Sequence, residues 1–526
     1  MNKSRLFVFA FAFWLIFCSA ACAGEKEPVV FFSDLVSGPS RGGEGNLGCF
    51  VTIWGRHFGS EQNDSYVTVG EGRVARYPVW SDDKITFQPG PDAKSGEIVV
   101  VTARGESNGI PFGIRGGAVR FISPHGDDYQ GDGSREYPWG SLFHAKRFMR
   151  PGDILYIMDG FRHTEEDAYG AYLNLDSSGN ASLPKAIVAY PGARVEIGGD
   201  GLGRCFHNWI SGDVEEHYSK YWVISQLILR SSGSVVELGE GFRVVGNTIS
   251  APRGSGATAA IHGRGPNAKV LGNTLVNVGY EGSSKLYHSI YINNNWKGST
   301  TSNIEIAWNH IHRSQANRGI QIYAGNHRGF ISNVSIHDNL IHHVRGNAIN
   351  VNNHVTGTIT IYNNVIYKAG LGPDFSDGIS NYSGILISPE KDATVYFFHN
   401  LVYDCGYAHR PGGSGLLAYR RGTLYAINNV FVSGGNMIEP GSGIPVAGKY
   451  GNLFFGNIRP QGWDKTGVYG DPRFTDISSF NFRPLETSAV IDRGRRIKSQ
   501  VGRRDYDGLP RPQGAGFDIG PFEVKQ

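Results

Sequence analysis

A short stretch of this sequence combines residue types that can move a proton next to a carboxylate. Lys285 and His288 are candidate bases, and Tyr291, in the same stretch, is a candidate proton donor. Arg318 lies further along, and a guanidinium can hold a carboxylate through two parallel hydrogen bonds. Such a set suits β-elimination on a uronic acid, in which a base removes the C5 proton beside the neutralised carboxylate. We predict these four residues as catalytic; the alternative is that the exposed cations only bind substrate.

Four carboxylates offer hydrolysis as a second interpretation. A glycoside hydrolase needs two carboxyl groups about 5–10 Å apart. Asp374 and Asp377 lie in one long predicted loop, and Glu281 and Glu390 lie on neighbouring segments. Adjacent strands of a sheet are about 4.8 Å apart, so pairs on neighbouring segments can reach that separation. Loop aspartates more often form turns, which is why hydrolysis is the alternative to elimination.

The segments that must position these residues repeat along the chain. The pattern of an apolar strand that ends in asparagine occurs eight times between about residues 244 and 457, at intervals of 25 to 36 residues. Self-similarity at this period indicates a solenoid. No interval has room for a long amphipathic helix beside its strands, so we predict stacked β-coils. The eight asparagines are Asn247, Asn273, Asn309, Asn339, Asn364, Asn400, Asn429 and Asn457.

Asparagine suits this position for two reasons. It tolerates left-handed backbone, so it can turn the chain, and its amide can bond to the amide one coil above. The residue two places after each of the first seven asparagines is apolar, as expected when strand side chains alternate between core and surface. A sandwich with asparagine turns would not repeat this register. The predicted core residues are Ile249, Leu275, Ile311, Ile341, Ile366, Val402 and Phe431.

A second recurring strand, centred on Gly-Ile, has polar and aromatic residues at positions that would face outward. Long predicted loops flank it (278–287, 294–301, 369–382 and 405–413) and would form the walls of a groove. Aromatic faces and amides suit sugar rings, which offer C–H patches and hydroxyls. The predicted substrate-binding residues are Asn293, Trp296, Gln321, Tyr323, Asn350, Asn352 and Tyr419.

A further column of histidine and tyrosine follows the asparagines by three residues. Its members are expected on a different side of the coils from the groove. We interpret the column as outer wall rather than as a site. It consists of His312, His342, Tyr367 and Tyr403.

With these repeats the chain resembles the right-handed parallel β-helix proteins of the pectin lyase-like group, over about residues 119–523. That group includes pectate lyases, chondroitinase- and alginate-type lyases and polygalacturonases. The resemblance implies an all-β, right-handed parallel β-helix whose Gly-Ile strand carries the cleft, and a secreted enzyme that degrades polysaccharide. Related lyases often use calcium held by several acidic residues, and that motif is not intact in this sequence.

Residues 26–115 are predicted to form a separate small β-module. Stretches that alternate apolar and polar residues follow one another at sandwich spacing. With Trp80-Ser81-Asp82 and the later Ser107–Phe112, the pattern resembles the IPT/TIG immunoglobulin-like domain. No catalytic constellation is visible in it, so we expect a spacer or glycan-binding role. The alternating stretches are Gly48–Gly59, Tyr66–Gly70, Val79–Phe87 and Gly96–Thr102.

Residues 1–23 have the pattern of a secretion signal. Lys3 and Arg5 precede an apolar core, and a small-x-small cleavage site ends at Ala23. Cys22 is alternatively the lipid-bearing first residue of a bacterial lipoprotein. Either pattern predicts export from a bacterium to the periplasm, the cell surface or the medium, with membrane attachment only through Cys22. The three later cysteines predict neither a disulfide framework nor a metal cluster, and they are Cys49, Cys205 and Cys405.

Residues 119–526 are predicted to form the β-helix with both ends closed, because the terminal coils of a solenoid need caps. We assign Pro138–Met149 as an N-terminal cap helix and the segment after about residue 471 as the C-terminal closure, where carboxylates and arginines would fix the last coil. Asp127, Asp128 and Asp132 offer oxygen ligands for calcium, although such clusters more often form solvated turns.

Composition sets the remaining limits. The 526 residues include 73 glycines, and only 18% are charged, which is typical of a turn-rich β-protein. A net charge of +3 does not favour nucleic-acid binding, and it is compatible with an acidic polysaccharide. We predict a monomer; the sequence establishes no cofactor, and calcium is the candidate. A non-catalytic glycan-binding solenoid or adhesin is the third alternative, because a fold does not fix a function.

Overall fold

The computed structural model describes residues 26–210, 218–325, 329–378, 382–406, 414–418, 421–433, 436–440, 446–456, 464–497 and 502–525. The predicted signal segment, residues 1–23, and the predicted substrate-binding residue Tyr419 lie outside these residues. Almost all of the regular structure is β-strand. It forms a two-sheet sandwich, a three-sided right-handed parallel β-helix and a C-terminal segment, which confirms the predicted fold class.

The N-terminal sandwich has ten strands: β1 (Val29–Ser33), β2 (Ser37–Gly38), β3 (Val51–Arg56), β4 (Tyr66–Val69), β5 (Gly72–Arg73), β6 (Arg76–Trp80), β7 (Lys84–Gln88), β8 (Gly96–Thr102), β9 (Gly105–Glu106) and β10 (Ile110–Ile114). One sheet has the order β1-β3-β7-β6, and the other has the order β2-β10-β8-β4-β5 with β9 paired to β8. A 3-10 turn, Glu44–Asn46, lies between β2 and β3. The predicted stretch Val79–Phe87 is a hairpin, because Ser81 bonds back to Lys84 and turns the chain between β6 and β7.

The first half of the β-helix comprises β11 (Val119–Ile122), α1 (Leu142–Phe148), β12 (Ile154–Ile157), β13 (Arg162–His163), β14 (Lys185–Ala189), β15 (Glu196–Gly198), β16 (Trp222–Ser225), β17 (Ile228–Arg230), β18 (Val236–Leu238), β19 (Arg243–Val245), β20 (Thr248–Ala251), β21 (Ala259–Gly263), β22 (Lys269–Leu271), β23 (Thr274–Val278), β24 (His288–Ile292), β25 (Thr300–Ala307) and β26 (His310–Ser314).

The second half comprises β27 (Arg318–Tyr323), β28 (Phe330–His337), β29 (Leu340–Val344), β30 (Asn347–Asn352), β31 (Val355–Tyr362), β32 (Val365–Ala369), β33 (Ile385–Ser388), β34 (Thr394–Phe398), β35 (Leu401–Tyr403), β36 (Ser414–Ala418), β37 (Thr423–Ile427), β38 (Val430–Ser433), β39 (Asn436–Pro440), β40 (Val446–Tyr450), β41 (Leu453–Gly456) and β42 (Val468–Tyr469). The C-terminal segment adds the antiparallel pair β43 (Phe474–Asp476) and β44 (Asn481–Pro484).

The β-helix strands stack into three parallel sheets, one on each side of the coils. Face A precedes the asparagines and has the order β11-β12-β14-β16-β19-β22-β25-β28-β31-β34-β37-β40. Face B follows the asparagines and has the order β13-β15-β17-β20-β23-β26-β29-β32-β35-β38-β41-β42. Face C contains the Gly-Ile strands in the order β18-β21-β24-β27-β30-β33-β36-β39. Each strand therefore lies directly above its counterpart in the preceding coil.

One continuous apolar core fills the coils from Ile122 to Phe454. Side chains alternate between the core and the outside along each strand, so every coil contributes apolar residues from all three faces. The seven residues predicted from the asparagine register are all in this core and are at most 2% exposed. The predicted inward column is thereby confirmed.

A ladder of amides joins the coils at the corner between faces A and B. The side-chain amide nitrogen of each ladder asparagine donates to the side-chain oxygen of the next, at 2.9 to 3.0 Å. Each amide also donates to a backbone carbonyl of the coil before, so these buried polar groups are satisfied. Asp464 ends the ladder and accepts at 2.8 Å, which suits a carboxylate that has only acceptors.

Two details of the predicted ladder are wrong. Its eighth member is Asn452, not Asn457, and Asn457 lies outside the described residues. The strand before Asn452 contains Gly448 and Lys449, so it lacks the apolar phrase that marks the other coils. The left-handed residue is also not the ladder asparagine but the one before it, as at Trp308 with φ 55°. The asparagine supplies hydrogen bonds, and its predecessor turns the chain.

The N-terminal end of the core is covered by α1, which is shorter than the predicted helix Pro138–Met149. Ser141 caps it by accepting from the backbone N–H of His144, and Leu142 and Ala145 are fully buried in the core. The carboxylate of Asp128 accepts three bonds from the segment that starts this helix. Asp127 and Asp132 likewise accept from backbone N–H groups of their own loop. These contacts favour the turn-forming interpretation of the three aspartates over calcium binding.

The sandwich packs against face A of the β-helix. Phe50 and Tyr156 exchange two hydrogen bonds, of 2.7 and 2.8 Å, and both are buried in a shared core. Arg243 of β19 donates to the backbone carbonyl of Ser33 at 2.6 Å. Farther along the same face, Phe32 packs against Trp308. The sandwich is therefore docked on the β-helix over several coils rather than linked loosely to it.

The C-terminal segment packs against face B and also runs back along the coils. Phe482, Ile519 and Phe522 form a second apolar cluster with outward residues of that face. Arg511 and Glu523 form a fully buried ion pair of 2.6 Å, and Arg511 also donates to Asn363 in the middle of the stack. The segment thus fixes several coils, not only the last one as predicted. The sandwich and this segment thus cover parts of faces A and B.

A buried histidine on face A gives the fold a defined pH dependence. His337 lies 3.1 Å from Glu305 and 2.7 Å from Asp338 and is 4% exposed. Burial alone would lower the pKa of His337, but the hydrogen bonds to the two carboxylates outweigh burial and raise it from 6.5 to about 9. The charged form therefore stabilises the folded state more than the unfolded state.

We expect this stabilisation to be complete below about pH 6.5 and to be lost as the pH rises through about 9. One pKa unit corresponds to about 1.4 kcal/mol, so the free energy of unfolding should fall by roughly 3 kcal/mol across this interval. Urea denaturation at a series of pH values measures the fall. His337→Gln should flatten this part of the profile, and an unchanged slope in that variant would contradict the assignment.

Candidate functional site

Five consecutive strands of face C carry polar residues at the same register position, before the register continues to Leu386. In strand order, these residues form a row of Glu237, His262, Tyr291, Gln321 and Asn350. The amide nitrogen of Asn350 donates to the Gln321 side-chain oxygen at 2.7 Å. We name this row the groove column. Adjacent strands are about 4.8 Å apart, and Glu237, Gln321 and Asn350 of the row are at most 8% exposed.

Three of the four predicted catalytic residues lie in or next to this column. His288 pairs in register with Arg318 on the next strand, and its ring contacts the edge of the Tyr291 ring at a centroid distance of 5.1 Å. Burial and the positive charge of Arg318 hold the pKa of His288 well below its usual value, so the imidazole is neutral. Its Nδ1 atom is buried without a hydrogen-bond partner within the described chain.

Tyr291 has the complementary property. Burial, with a smaller contribution from Tyr323, raises the pKa of its phenol well above 10. The hydroxyl therefore keeps its proton at neutral pH. A neutral imidazole thus lies against a protonated phenol, and the guanidinium of Arg318 on the next strand acts on the imidazole electrostatically and donates to Asn317. These are the groups that general base catalysis, general acid catalysis and carboxylate binding require.

Lys285, the fourth predicted catalytic residue, lies in the wall of the groove. Its ammonium group donates to the backbone carbonyl of Asp377 at 3.0 Å, and its backbone N–H donates to the Asp377 carboxylate at 2.9 Å. These contacts join the loop before β24 to the loop before β33. Of the two candidate bases, His288 is therefore the one that the structure brings next to Tyr291.

The four alternative carboxylates lie in the walls or beyond them. Asp377 accepts from the Ser284 hydroxyl at 2.6 Å, and its hydrogen bonds lower its pKa, which is opposite to what a general acid needs. The Glu281 side chain is exposed, and its backbone carbonyl accepts from Arg345, as that of Asp374 does. Glu390 accepts from the backbone N–H of His354 and pairs with Arg421 at 3.2 Å.

A second polar row lies beside the groove column, toward the end of each strand. Tyr323, Asn352 and Ser388 are in register across β27, β30 and β33, and Asn293 follows the end of β24 at the corresponding place. The side-chain oxygens of Asn352 and Ser388 are buried without a partner in the described residues, as is that of Asn350. Unpaired buried polar groups are costly, and hydroxyl groups of a bound sugar would satisfy them.

A pocket of about 270 Å³ opens at the start of the groove column. Glu237 lies in it, only 8% exposed, and its carboxylate is 2.5 Å from the Arg204 guanidinium and 3.1 Å from His207. His262 lines the same pocket, and burial lowers the pKa of both histidines. The predicted residue Trp296 lines it as well and contacts the Tyr218 ring at 6.0 Å.

The sequence did not point to Arg204, His207, Glu237 or His262 as functional residues. The first two precede the regular repeats, and β18, which carries Glu237, lies before the first asparagine phrase. One signal was present: Val236-Glu237-Leu238 places a charged residue between two apolar ones, the pattern of an outward position in a buried strand. Only the register shows that this position continues the row of His262 and Tyr291.

The walls of the groove are held together by Arg345, which is 5% exposed. Its guanidinium donates to the carbonyls of Pro373 and Glu281, each at 2.9 Å, and to that of Asp374. It also lies 3.9 Å from the centroid of the Phe375 ring. One side chain thus connects the loop before β24 to the loop after β32.

We expect Arg345→Met to release these loops, because the buried carbonyls lose charge-assisted hydrogen bonds while the apolar stem is kept. The expected loss is about 2–3 kcal/mol in the free energy of unfolding, together with faster proteolytic cleavage of the wall loops. Limited proteolysis and thermal unfolding measure the two effects. Arg421→Met removes an exposed pair and serves as the control, with an expected change below about 1 kcal/mol.

Two family models match this chain. The model described as right handed beta helix region matches residues 228–431, and the IPT/TIG domain model matches residues 36–114. Both resemblances inferred from the sequence are thereby confirmed. A search of curated proteins found no match. Among the described residues, no helix has the length and apolar character needed to cross a membrane.

Several solved structures are similar to the chain. The pectate lyase Pel9A is 12% identical, with 77% of this chain and 96% of that chain covered and a TM-score of 0.49. The lacto-N-biosidase from Eubacterium ramulus is 14% identical, with 67% and 66% covered and a TM-score of 0.34. The alginate lyase from Paenibacillus sp. str. FPU-7 is 16% identical, with 57% and 93% covered and a TM-score of 0.36. These identities are too low to transfer a reaction or a substrate.

Proposed function

We propose that this protein, a right-handed parallel β-helix with an N-terminal IPT/TIG domain, is a polysaccharide lyase that cleaves an acidic, uronic-acid-containing chain along face C. The observation that carries the proposal is the ring contact of His288 with Tyr291, together with the pairing of His288 with Arg318 on the next strand of face C. The groove column extends this site on both sides. A track of polar side chains suits a polymer better than a small ligand.

In the sugar, the proposed reaction breaks the C5–H and C4–O bonds and forms one C4–C5 double bond. Arg318 binds the uronate carboxylate and stabilises the negative charge that develops when the C5 proton leaves. His288 takes that proton, because its imidazole is neutral. The electron pair forms the C4–C5 double bond, and the C4–O bond breaks. Tyr291 donates its proton to the departing glycosidic oxygen, which becomes the hydroxyl of the released chain.

The remaining predicted residues would bind neighbouring sugars. Gln321, Asn350 and Asn352 offer amide groups along the track, and Tyr323 and Trp296 offer ring faces for sugar C–H patches. The pocket at the start of the groove column adds His262 and Asn293, which offer polar contacts to a further sugar. Tyr419 stays a prediction, as does the role of Lys285, whose position in the wall suits substrate binding.

The proposed reaction has a direct test. Purified protein is incubated with a panel of acidic polysaccharides, with and without a calcium chelator, and the ultraviolet absorbance of unsaturated products is followed together with new reducing ends. A lyase gives both signals in equal amounts. Reducing ends without absorbance would replace elimination by hydrolysis, and binding with neither signal would leave a glycan-binding solenoid.

Hydrolysis is the second candidate, and the pocket favours it through two carboxylates, Glu237 and Glu240, that line the same cavity. Glu240 is paired with Lys220 at 2.9 Å and accepts from Tyr221. These hydrogen bonds outweigh burial and lower its pKa, so it would act as a base or nucleophile rather than as an acid. Glu237→Gln should abolish hydrolysis, whereas elimination at His288 would continue.

The cellular location that we propose is inferred from the pattern of residues 1–23, which resembles a secretion signal. We propose that the chain is exported from a bacterium and acts in the periplasm, at the outer surface or in the medium, with a membrane anchor only through Cys22. The IPT/TIG domain would then serve as a docked spacer, because it is packed on face A and leaves the groove open. Its partner is the polysaccharide, and a monomer is sufficient for the site described.

A further inference from the structure

Three histidines converge on face B, on the side of the coils that does not carry the groove. His310 and His312 are two residues apart on β26, and His342 is in register with His312 on β29. The Nε2 atoms of His310 and His342 are 2.8 Å apart. One ring nitrogen of each of the three lies within 4.8 Å of those of the other two. We name these three residues the face B histidines.

The core of the β-helix does not require histidine at these positions. The side chains face outward and are half-buried, while Ile311 and Ile341 supply the core contacts of the same strands. The predicted outer-wall column included His312 and His342 but not His310, which faces the same side because residues two apart on a strand share a face. A surface without a binding function has no need for three imidazole nitrogens within 4.8 Å of one another.

We propose that the face B histidines bind a divalent transition-metal ion of the class of zinc, nickel or copper. Imidazole is a preferred ligand of these ions, whereas calcium and magnesium prefer oxygen. In a tetrahedral zinc site with metal–nitrogen distances of about 2.0–2.1 Å, ligand nitrogens lie roughly 3.3 Å apart. The observed separations, from 2.8 Å to at most 4.8 Å, bracket this value, so small ring rotations are sufficient.

Neighbouring side chains hold the third ligand in place. His342 stacks on Tyr367 at a centroid distance of 4.5 Å, and Tyr367 stacks in turn on Phe480 of the C-terminal segment at 4.4 Å. The Nδ1 atom of His342 is 2.8 Å from Nδ1 of His343. When Nε2 of His342 binds a metal, its Nδ1 carries the proton and can donate it to His343. Such outer hydrogen bonds orient metal-binding histidines.

A bound ion would join two consecutive coils at the place where the C-terminal segment packs on them. The ligands come from β26 and β29, and Phe480 lies against the same group through Tyr367. Since the ion binds only the folded chain, it stabilises that state by mass action. The site is on a different face from His288 and Tyr291, so metal binding is independent of the proposed reaction.

The test is a zinc titration of the chain without residues 1–23 and without a polyhistidine tag, in competition with a chromophoric chelator. We expect one zinc ion per chain with micromolar or tighter affinity, and a higher melting temperature with zinc. His312→Ala and His342→Ala should each weaken binding by more than tenfold, and His343→Ala by about tenfold. Cupric ion at the site should show nitrogen couplings in its electron paramagnetic resonance spectrum.

His125→Ala is the matched control, because His125 is an exposed histidine in a loop far along the chain from the ligands. It should bind zinc as the unchanged protein does. Circular dichroism of the metal-free variants shows whether each is folded. If His342→Ala unfolds because it loses its stacking on Tyr367, the affinity of His312→Ala decides the test. Less than one bound ion in the unchanged protein, or equal affinity in folded His312→Ala, would overturn the proposal.

Discussion

Tyr291→Phe should lower kcat on the acidic polysaccharide by about 10²–10⁴-fold, the usual contribution of a general acid. The substitution removes one hydroxyl and keeps the ring, so the contact with His288 and the strand register should persist. Substrate binding should change little, which means that the loss appears in kcat more than in KM. Initial rates of ultraviolet absorbance measure the effect.

His288→Ala should cause a loss of similar size through the base. Because burial and Arg318 hold the pKa of His288 well below 6.5, the base is ready over the whole neutral range, and the acidic limb of the profile should lie below pH 6.5. The acid is active while it is protonated, so the alkaline limb should lie above pH 10, where the raised pKa of Tyr291 is found. A broad plateau between the limbs is the expected result.

The control for the catalytic substitutions is Tyr396→Phe. Tyr396 is exposed on face A and stacks on Tyr425, far from the groove column. It should turn over substrate at the normal rate. Near-normal rates in folded Tyr291→Phe and His288→Ala would reject the proposed centre, and a loss restricted to Glu237→Gln would move the chemistry to the pocket.

Asn339→Ala should reduce the free energy of unfolding by on the order of 5 kcal/mol, which is exceptional for a single substitution. Asn339 accepts from the backbone and side chain of Asn309 and donates to Asn364 and to the Ile306 carbonyl, all at 2.9 to 3.0 Å. Alanine leaves these buried groups unpaired, and each unpaired group costs about 1–3 kcal/mol. Urea and thermal denaturation measure the loss.

Asn180→Ala is the comparison for the ladder substitution. Asn180 is exposed, and its side chain accepts hydrogen bonds from Ser182 and Leu183 of its own turn. Its loss should be below about 1 kcal/mol, as is usual for surface substitutions. A similarly small loss in Asn339→Ala would show that the ladder does not stabilise the stack as described.

The sequence was sufficient to predict the repeat and its core register. Asn247 to Asn429 recur with an apolar residue two places later, and the structure shows those amides bonded in one row and those side chains buried. The repeat is local information, because each coil must present the same side chain at the same height to bond to the next. The eighth ladder asparagine was not predicted, because Gly448 and Lys449 stand where the other coils have an apolar phrase. The hydrogen bond to Asn452 depends on its position in the coil and not on the hydropathy of the strand before it.

The position of His288, Tyr291 and Arg318 on one face was partly predictable, because they lie on two strands, β24 and β27, that repeat the same pattern. The structure adds what no local pattern contains. Arg204 and Glu237 reach the groove column because irregular early coils stack beneath the regular ones, and Lys285 is held in a wall by a loop that begins about 90 residues later.

The sequence by itself therefore determined the β-helix, its amide ladder and the polar face, since each follows from residue types that recur at regular intervals along the chain. Tertiary structure alone decided which parts of faces A and B are covered, that Glu237 and His262 continue the row of Tyr291, and that His310 joins His312 and His342. These outcomes depend on the docking of the sandwich on face A, the return of the C-terminal segment along face B and the register between coils. Contacts between residues far apart in the chain set all three, and no sequence period records them.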